Sequence, residues 1–127
     1  MSTTSWPLFL MAAGAGAVGR YLVDGWVHQR THAPGRIPWG TFVVNVTGSL
    51  GLGVLTGLGL YHDLGGSARV VLGTGGIGAY TTFSTFSWEV VRLFEEGRSA
   101  TSARYVAATV LTGLAAAGVG LAVTAAV

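Results

Sequence analysis

Charge is what this chain is short of. Only 9% of its 127 residues are Asp, Glu, Lys or Arg, where a water-soluble domain carries about 25%, so most of the chain has no face to present to water. Lysine is absent, and the seven basic residues are all arginines. They are too few and too dispersed for a nucleic-acid footprint; arginine near the ends of membrane-crossing segments is the simpler reading. Cysteine is also absent, which excludes a disulfide framework and a thiolate metal site and leaves the redox compartment open. No nucleophile, base and orienting group cluster in the sequence, which argues against an enzyme. What fills the chain instead is apolar: half of the residues are hydrophobic and 21 are glycine. The solvent for such a chain is lipid.

About 20 apolar residues cross a hydrocarbon core, and on that measure hydropathy predicts an all-α membrane protein of four spans. These run over about 7–27, 39–61, 68–93 and 105–127, one transmembrane domain covering residues 1–127. Short connections hold the breakers and charges: Pro34-Gly35 in the first, Gly65-Gly66 in the second and Glu95 to Arg104 in the third. No basic residue precedes the first apolar run, which argues against a cleaved signal peptide. Four helices are too few to enclose a wide polar lumen, yet each carries a polar stripe that a lone bundle would expose to lipid, so association is expected. Gly53 and Gly57 at GxxxG spacing, with Gly14, Gly16 and Gly19 on the first span, allow close helix approach either within the chain or between chains. Arg30, Arg36, Arg98 and Arg104 share one side of the membrane, with Arg20 and Arg92 feeding it, whereas Arg69 stands on the other. That bias places the first and third connections in the cytoplasm.

On the second span Thr41, Asn45, Ser49 and Thr56 fall in a narrow arc at a 3.6-residue period. Asn45 lies well inside the membrane, where an amide needs a partner: interhelical hydrogen bonding is one use, donation to a dehydrated anion another. On the fourth span Tyr105, Thr109 and Thr112 align three hydroxyls, although a threonine can also satisfy itself on its own i−4 carbonyl.

The third span is hardest to read as plain packing. Gly75-Gly76-Ile77-Gly78-Ala79-Tyr80-Thr81-Thr82-Phe83-Ser84-Thr85-Phe86-Ser87 sets glycines, hydroxyls and two phenylalanines at mid-membrane. The pattern predicts loss of helix around Gly78 to Thr81, which frees carbonyls near the midplane, the means by which broken membrane helices hold a small cation. Irregular backbone at that depth survives only where protein or a watery cavity satisfies it. Phe83 and Phe86 share a face flanked by Ser84 and Thr85, and ring edges carry the positive end of the quadrupole, so rings presented edge-on can line an anion path. Arg20 and Asp24 are spaced for an ion pair, with snorkelling to the headgroups as the alternative for Arg20, and Glu89 stands one turn from Arg92.

Three motifs carry a family resemblance over nearly the whole chain. They are Gly16-Ala17-Val18-Gly19-Arg20-Tyr21; Pro38-Trp39-Gly40-Thr41 with Val44-Asn45-Val46-Thr47-Gly48-Ser49; and Gly75 to Ser87 with Glu89 behind it. In that order they resemble the bacterial Fluc (CrcB) fluoride channels. The resemblance implies an antiparallel, dual-topology dimer in the bacterial plasma membrane, with two fluoride paths and a central structural sodium ion. By motif position the backbone carbonyls of Gly78 and Thr81 would hold sodium, and Asn45, Phe83, Phe86, Ser84 and Thr85 would line the fluoride path. Tyr105 and Thr109 would extend the polar track, with Thr112 added from periodicity, and Arg20 would gather anions in a vestibule. The inverted subunit would be an identical copy or a paired homologue; the family also contains pairs of oppositely biased chains, and the arginine bias here suits such a homologue. Departures are small: Ala12-Ala13 and Ala79 replace common glycines, and Gly113 stands near where a serine is frequent.

Two rivals are weaker. A small multidrug exporter has four spans and couples to protons through a carboxylate within its first helix, whereas this first span has none at mid-membrane. A non-transporting scaffold would have no use for buried hydroxyl stripes. Gly73, Gly75 and Gly78 satisfy GxGxxG, but a dinucleotide site needs a strand, a turn and a βαβ unit. Asn45-Val46-Thr47 is a glycosylation sequon placed inside the bilayer, and His28, His32 and His62 are loop residues with no ligand pattern.

Overall fold

A computed structural model describes residues 5–31 and 37–127, and among these every regular element is helical. Helix α1 runs over Ser5–Thr31, α2 over Trp39–Tyr61 and α6 over Ser99–Ala125. Each of the three is long and apolar enough to cross a membrane. Between α2 and α6 lies a divided arm: α3 (Gly66–Arg69), a π-helical segment (Val70–Ile77), α4 (Gly78–Tyr80) and, after a break, α5 (Phe83–Glu95). The expected second span coincides with α2, whereas α1 and α6 begin earlier than hydropathy suggests and α1 ends later. Hydropathy marks where lipid begins, not where helical hydrogen bonding stops. His32, Pro34, Gly35 and Arg36 of the first connection lie outside the described residues.

The break sits a few residues later than the glycines suggest. Gly78 is still helical at the head of α4, and the chain turns extended at Thr81 (ψ 160°) and Thr82 (φ −145°, ψ 113°). Two β-branched residues suit an extended backbone. Thr82 then caps α5 by accepting the Thr85 N–H, which glycine cannot do with a side chain. The glycines serve the π segment instead, where the Gly78 N–H reaches the Gly73 carbonyl five residues back. They also keep it thin: a Cβ on Gly16 of α1 would run into the Gly76 carbonyl, and one on Gly75 would lie 3.1 Å from the Phe9 carbonyl oxygen. Helix α1 therefore crosses the π segment almost backbone to backbone.

Helices α2 and α6 meet in the same way. A Cβ on Gly53 would strike the Ala117 backbone, one on Gly57 the Thr124 hydroxyl, and one on Gly120 would come within 2.7 Å of the Val54 nitrogen. The GxxxG pair is thus used inside the chain and gives no support to association between chains. Gly53→Ala is expected to lower stability in detergent by about 1–3 kcal/mol, because the overlap is with backbone that cannot turn aside; a thermal midpoint equal to the parent's would contradict this close crossing.

Helix α5 ends in a Schellman turn, with the Gly97 N–H on the Phe94 carbonyl (3.0 Å) and the Arg98 N–H on that of Leu93 (2.9 Å). Gly97 takes φ +76°, the left-handed position that glycine tolerates best. The turn sends α6 back along α5, where the Ser102 hydroxyl donates to the Val90 carbonyl at 2.8 Å. Among the described residues the buried apolar side chains are few: Val27, Val44, Leu55, Leu93 and Tyr105. Leu8, Leu10, Met11 and Leu22 on α1 and Leu111, Leu114 and Val119 on α6 are exposed, as expected where lipid is the solvent. Near the helix ends, Arg30 stacks 3.9 Å from the Trp26 ring centroid and Arg92 lies 5.1 Å from that of Trp88, the aromatic and basic pairing of a membrane boundary.

Candidate functional site

One amide holds the helix break. The Asn45 Nδ2 on α2 donates to the Thr82 carbonyl at 3.0 Å, and the Thr82 N–H donates to Asn45 Oδ1 at 2.9 Å. The side chain thus pairs with extended backbone as a neighbouring strand would, and its second N–H is not used in this pairing. In an unbroken helix the Thr82 N–H would bond the Gly78 carbonyl and the Thr85 N–H that of Thr81. Both donors are diverted, one to Asn45 and the other to Thr82 Oγ1 at 3.2 Å. The carbonyls of Gly78 and Thr81 therefore lose their helical donors, together with those of Ala79 and Tyr80 between them. That of Thr81 is approached by Arg20 Nη1 at 3.4 Å, long for such a bond.

Hydroxyls gather on the downstream side. Thr82 Oγ1 donates to Thr85 Oγ1 at 2.9 Å and lies 3.4 Å from Ser84 Oγ, with Ser84 and Thr85 both exposed. Phe83 is 81% exposed, too much for a core ring, and its centroid is 6.0 Å from that of Phe86 at 41°. Phe86 in turn lies 5.2 Å from Tyr105 at 53°. Three tilted rings thus lead from the break on α5 to α6.

At the far end of that ladder the Glu89 carboxyl sits between two helices. Thr41 Oγ1 donates to its Oε1 at 2.9 Å and the Tyr105 hydroxyl to its Oε2 at 2.8 Å. Arg92 pairs with Glu96 (3.4 Å) and not with Glu89. Tyr105 is fully buried, so its role is to anchor a carboxyl rather than to offer a free hydroxyl. A carboxyl inside a membrane-length segment is itself a signal of function, and Thr41, one turn before Asn45 on the same stripe, was its available partner. Sequence reasoning also missed the contact of the Tyr80 hydroxyl with Thr47 Oγ1 at 2.9 Å.

The two remaining threonines of the α6 stripe part company. Thr112 bonds its own Ala108 carbonyl and is exposed. Thr109 is buried, and its Oγ1 is the one buried side-chain polar atom among the described residues that has no partner. Such an orphan is costly unless something polar visits it.

Two clefts meet at the break. One, about 280 Å³, is lined by Asn45, Ser49, Gly78, Thr81, Thr82 and Phe83 among others. The other, about 290 Å³, is lined by Arg20, Asp24, Thr41, Thr82, Ser84 and Thr85 among others. Arg20 lines this second cleft but does not pair with Asp24: the ion pair between described residues is Arg92 with Glu96. Asp24 packs instead against Gly40, where a Cβ would overlap its carboxyl.

Membrane-length helices around a hydroxyl-lined break define a small multi-pass membrane protein, and its family is one of bacterial transport proteins rather than enzymes. The chain belongs to the CrcB family, whose model, described as "CrcB-like protein, Camphor Resistance (CrcB)", matches residues 8–121. It is 47% identical over 118 residues to "Fluoride-specific ion channel FluC 1" of Leifsonia xyli, a match covering 87% of this chain and 80% of that one. Identity to the protein of the same name from Streptomyces avermitilis is 44% over 117 residues, covering 92% and 93%. To that of Frankia casuarinae it is 44% over 128 residues, covering 97% and 98%.

Proposed function

We propose that the protein is a fluoride channel that conducts passively across the bacterial plasma membrane. The observation that carries this reading is the break itself, clamped by Asn45, flanked by Ser84 and Thr85 and continued by the Phe83–Phe86–Tyr105 ladder. Fluoride is small and strongly hydrated, so passage requires donors that replace water without holding the ion. The Ser84 and Thr85 hydroxyls, the spare N–H of Asn45 and the orphaned Thr109 hydroxyl are such donors, and the ring edges of Phe83 and Phe86 bridge the dry stretch between them. Arg20, in the cleft that opens on Thr82, Ser84 and Thr85, draws anions to one end. The decisive experiment is efflux from liposomes loaded with potassium fluoride: release should wait for valinomycin to carry the compensating charge. Release that instead follows an imposed pH gradient would favour a proton-coupled exporter.

The arm over 66–95 supplies the third crossing, giving four spans, and the exposure of Phe83 and of the cleft beside it suits a second subunit packed there in inverted orientation. Arginine bias supports a homologue of opposite bias as that subunit: Arg30, Arg92, Arg98 and Arg104 stand at one end and Arg69 at the other. Expressed alone, the chain is then expected to give little flux, restored by an inverted homologue; robust flux from the chain alone would remove the need for one.

The freed carbonyls of Gly78 and Thr81 suit sodium, since unwound backbone at a helix break is a neutral oxygen donor set. Bound there, the cation would offset the repulsion of neighbouring anions. Arg20 Nη1 lies 3.4 Å from the Thr81 oxygen that would help to hold the cation. Exchange into sodium-free choline buffer should lower the thermal midpoint of the assembled protein by mass action, with recovery when sodium is returned; a midpoint indifferent to sodium would contradict the site.

A further inference from the structure

The cleft at the break does not stop there. It shares Leu52 and Gly73 with a third cleft of about 240 Å³, lined by Leu52, Leu55, Thr56, Arg69, Gly73 and Thr74. Together they form one groove between α2 and the π segment, leading from Phe83 and Asn45 towards the connection between α2 and α3. Gly73 keeps the junction open, since a Cβ there would already lie 3.0 Å from a Leu55 methyl. Arg69 stands at the outer end. Its side chain lies flat on the bare Gly59 backbone, where a Cβ would fall 3.0 Å from Nη1 and 3.1 Å from Nε. A helix position without a side chain is what admits the guanidinium so close to α2. Among the described residues no carboxyl is paired with it, the ion pair there being Arg92 with Glu96. Its guanidinium lines a cleft whose other polar side chains are Thr56 and Thr74, and Thr56 Oγ1 donates to its own Leu52 carbonyl at 2.7 Å, which leaves the Thr74 hydroxyl beside the arginine donors.

We infer that Arg69, with Thr74, forms an anion-loading site at the end of the path opposite Arg20, taking small monovalent anions from water and passing them along the Gly73 groove to the break. This rests on the channel reading above. A fixed cation at the head of a low-dielectric groove raises the local anion concentration and the entry rate, and a guanidinium keeps its charge at any physiological pH. Arg20 and Arg69 then bracket the path, and entry has a basic residue at either end.

The test is the fluoride dependence of efflux for the parent channel, Arg69→Gln and Arg69→Lys. Arg69→Gln is expected to reduce flux at low fluoride and low salt by roughly tenfold, with the deficit closing at saturating fluoride and in high salt, where the attraction is screened. Arg69→Lys should retain most of the parent flux. An Arg69→Gln channel that matches the parent at every fluoride concentration would overturn the inference alone, and so would a deficit that persists unchanged at saturation, which would mark a structural role. A guanidinium that instead serves lipid phosphate would show itself by an Arg69→Gln loss of thermal stability that depends on anionic lipid, with fluoride dependence unaltered; that too overturns it. A parent channel that carries no fluoride even when assembled with an inverted homologue would overturn the channel reading as well.

Discussion

Phe83→Ile should abolish fluoride efflux and leave the subunit as stable as its parent. The ring is 81% exposed in the single chain, so its removal opens no cavity within the subunit and the usual cost of a large-to-small core change does not arise. What is lost is the aromatic edge. Isoleucine is apolar all round and offers an anion no positive rim, so the dry stretch between the Ser84 and Thr85 hydroxyls and Phe86 becomes a barrier. Flux should fall at least about a hundredfold, the effect of roughly 3 kcal/mol on the barrier, with the thermal midpoint unmoved. Flux near the parent's would remove Phe83 from the path, and a large fall in midpoint would show the ring to be a packing element.

Asn45→Asp should be as severe for conduction and, unlike Phe83→Ile, should also destabilise the fold. The aspartate can still accept the Thr82 N–H, but its second oxygen faces the Thr82 carbonyl across what is now a 3.0 Å hydrogen bond. One bond is replaced by two acceptors in contact, at a cost of about 1–3 kcal/mol for the stranded carbonyl, before the added negative charge turns anions away from the cleft. Both flux and thermal midpoint should fall. A variant with normal stability would mean that the clamp does not hold the break, and normal flux would mean that Asn45 does not face the path.

These two residues also show how far the sequence could be read. The shortage of charge and the hydropathy runs identified a helical membrane chain, and the glycine, threonine and phenylalanine run identified a broken helix. The placement of the break was harder, because the glycines that signal it permit irregularity while the threonines decide where the chain extends and where the next helix is capped. Asn45 was legible as a buried amide in need of a partner. That its partner is the backbone of Thr82, 37 residues on, depends on how α2 crosses the arm, which no local pattern contains. Glu89 illustrates the same limit: Arg92 one turn away is the obvious local partner, yet its hydrogen bonds come from Thr41 and Tyr105 on two other helices. Periodicity aligned Thr109 and Thr112 as equals, and only packing separates a hydroxyl turned back on its own helix from one buried without a partner.

The central claim is a path selective for fluoride. It is tested most directly by paired efflux measurements on liposomes containing the assembled channel, loaded with equal fluoride and chloride and made permeable to potassium. Fluoride should leave rapidly while chloride stays inside, because the donors at the break and the narrow aromatic stretch compensate the smaller, more basic ion. Chloride leaving at a comparable rate, or fluoride retained, would contradict the account.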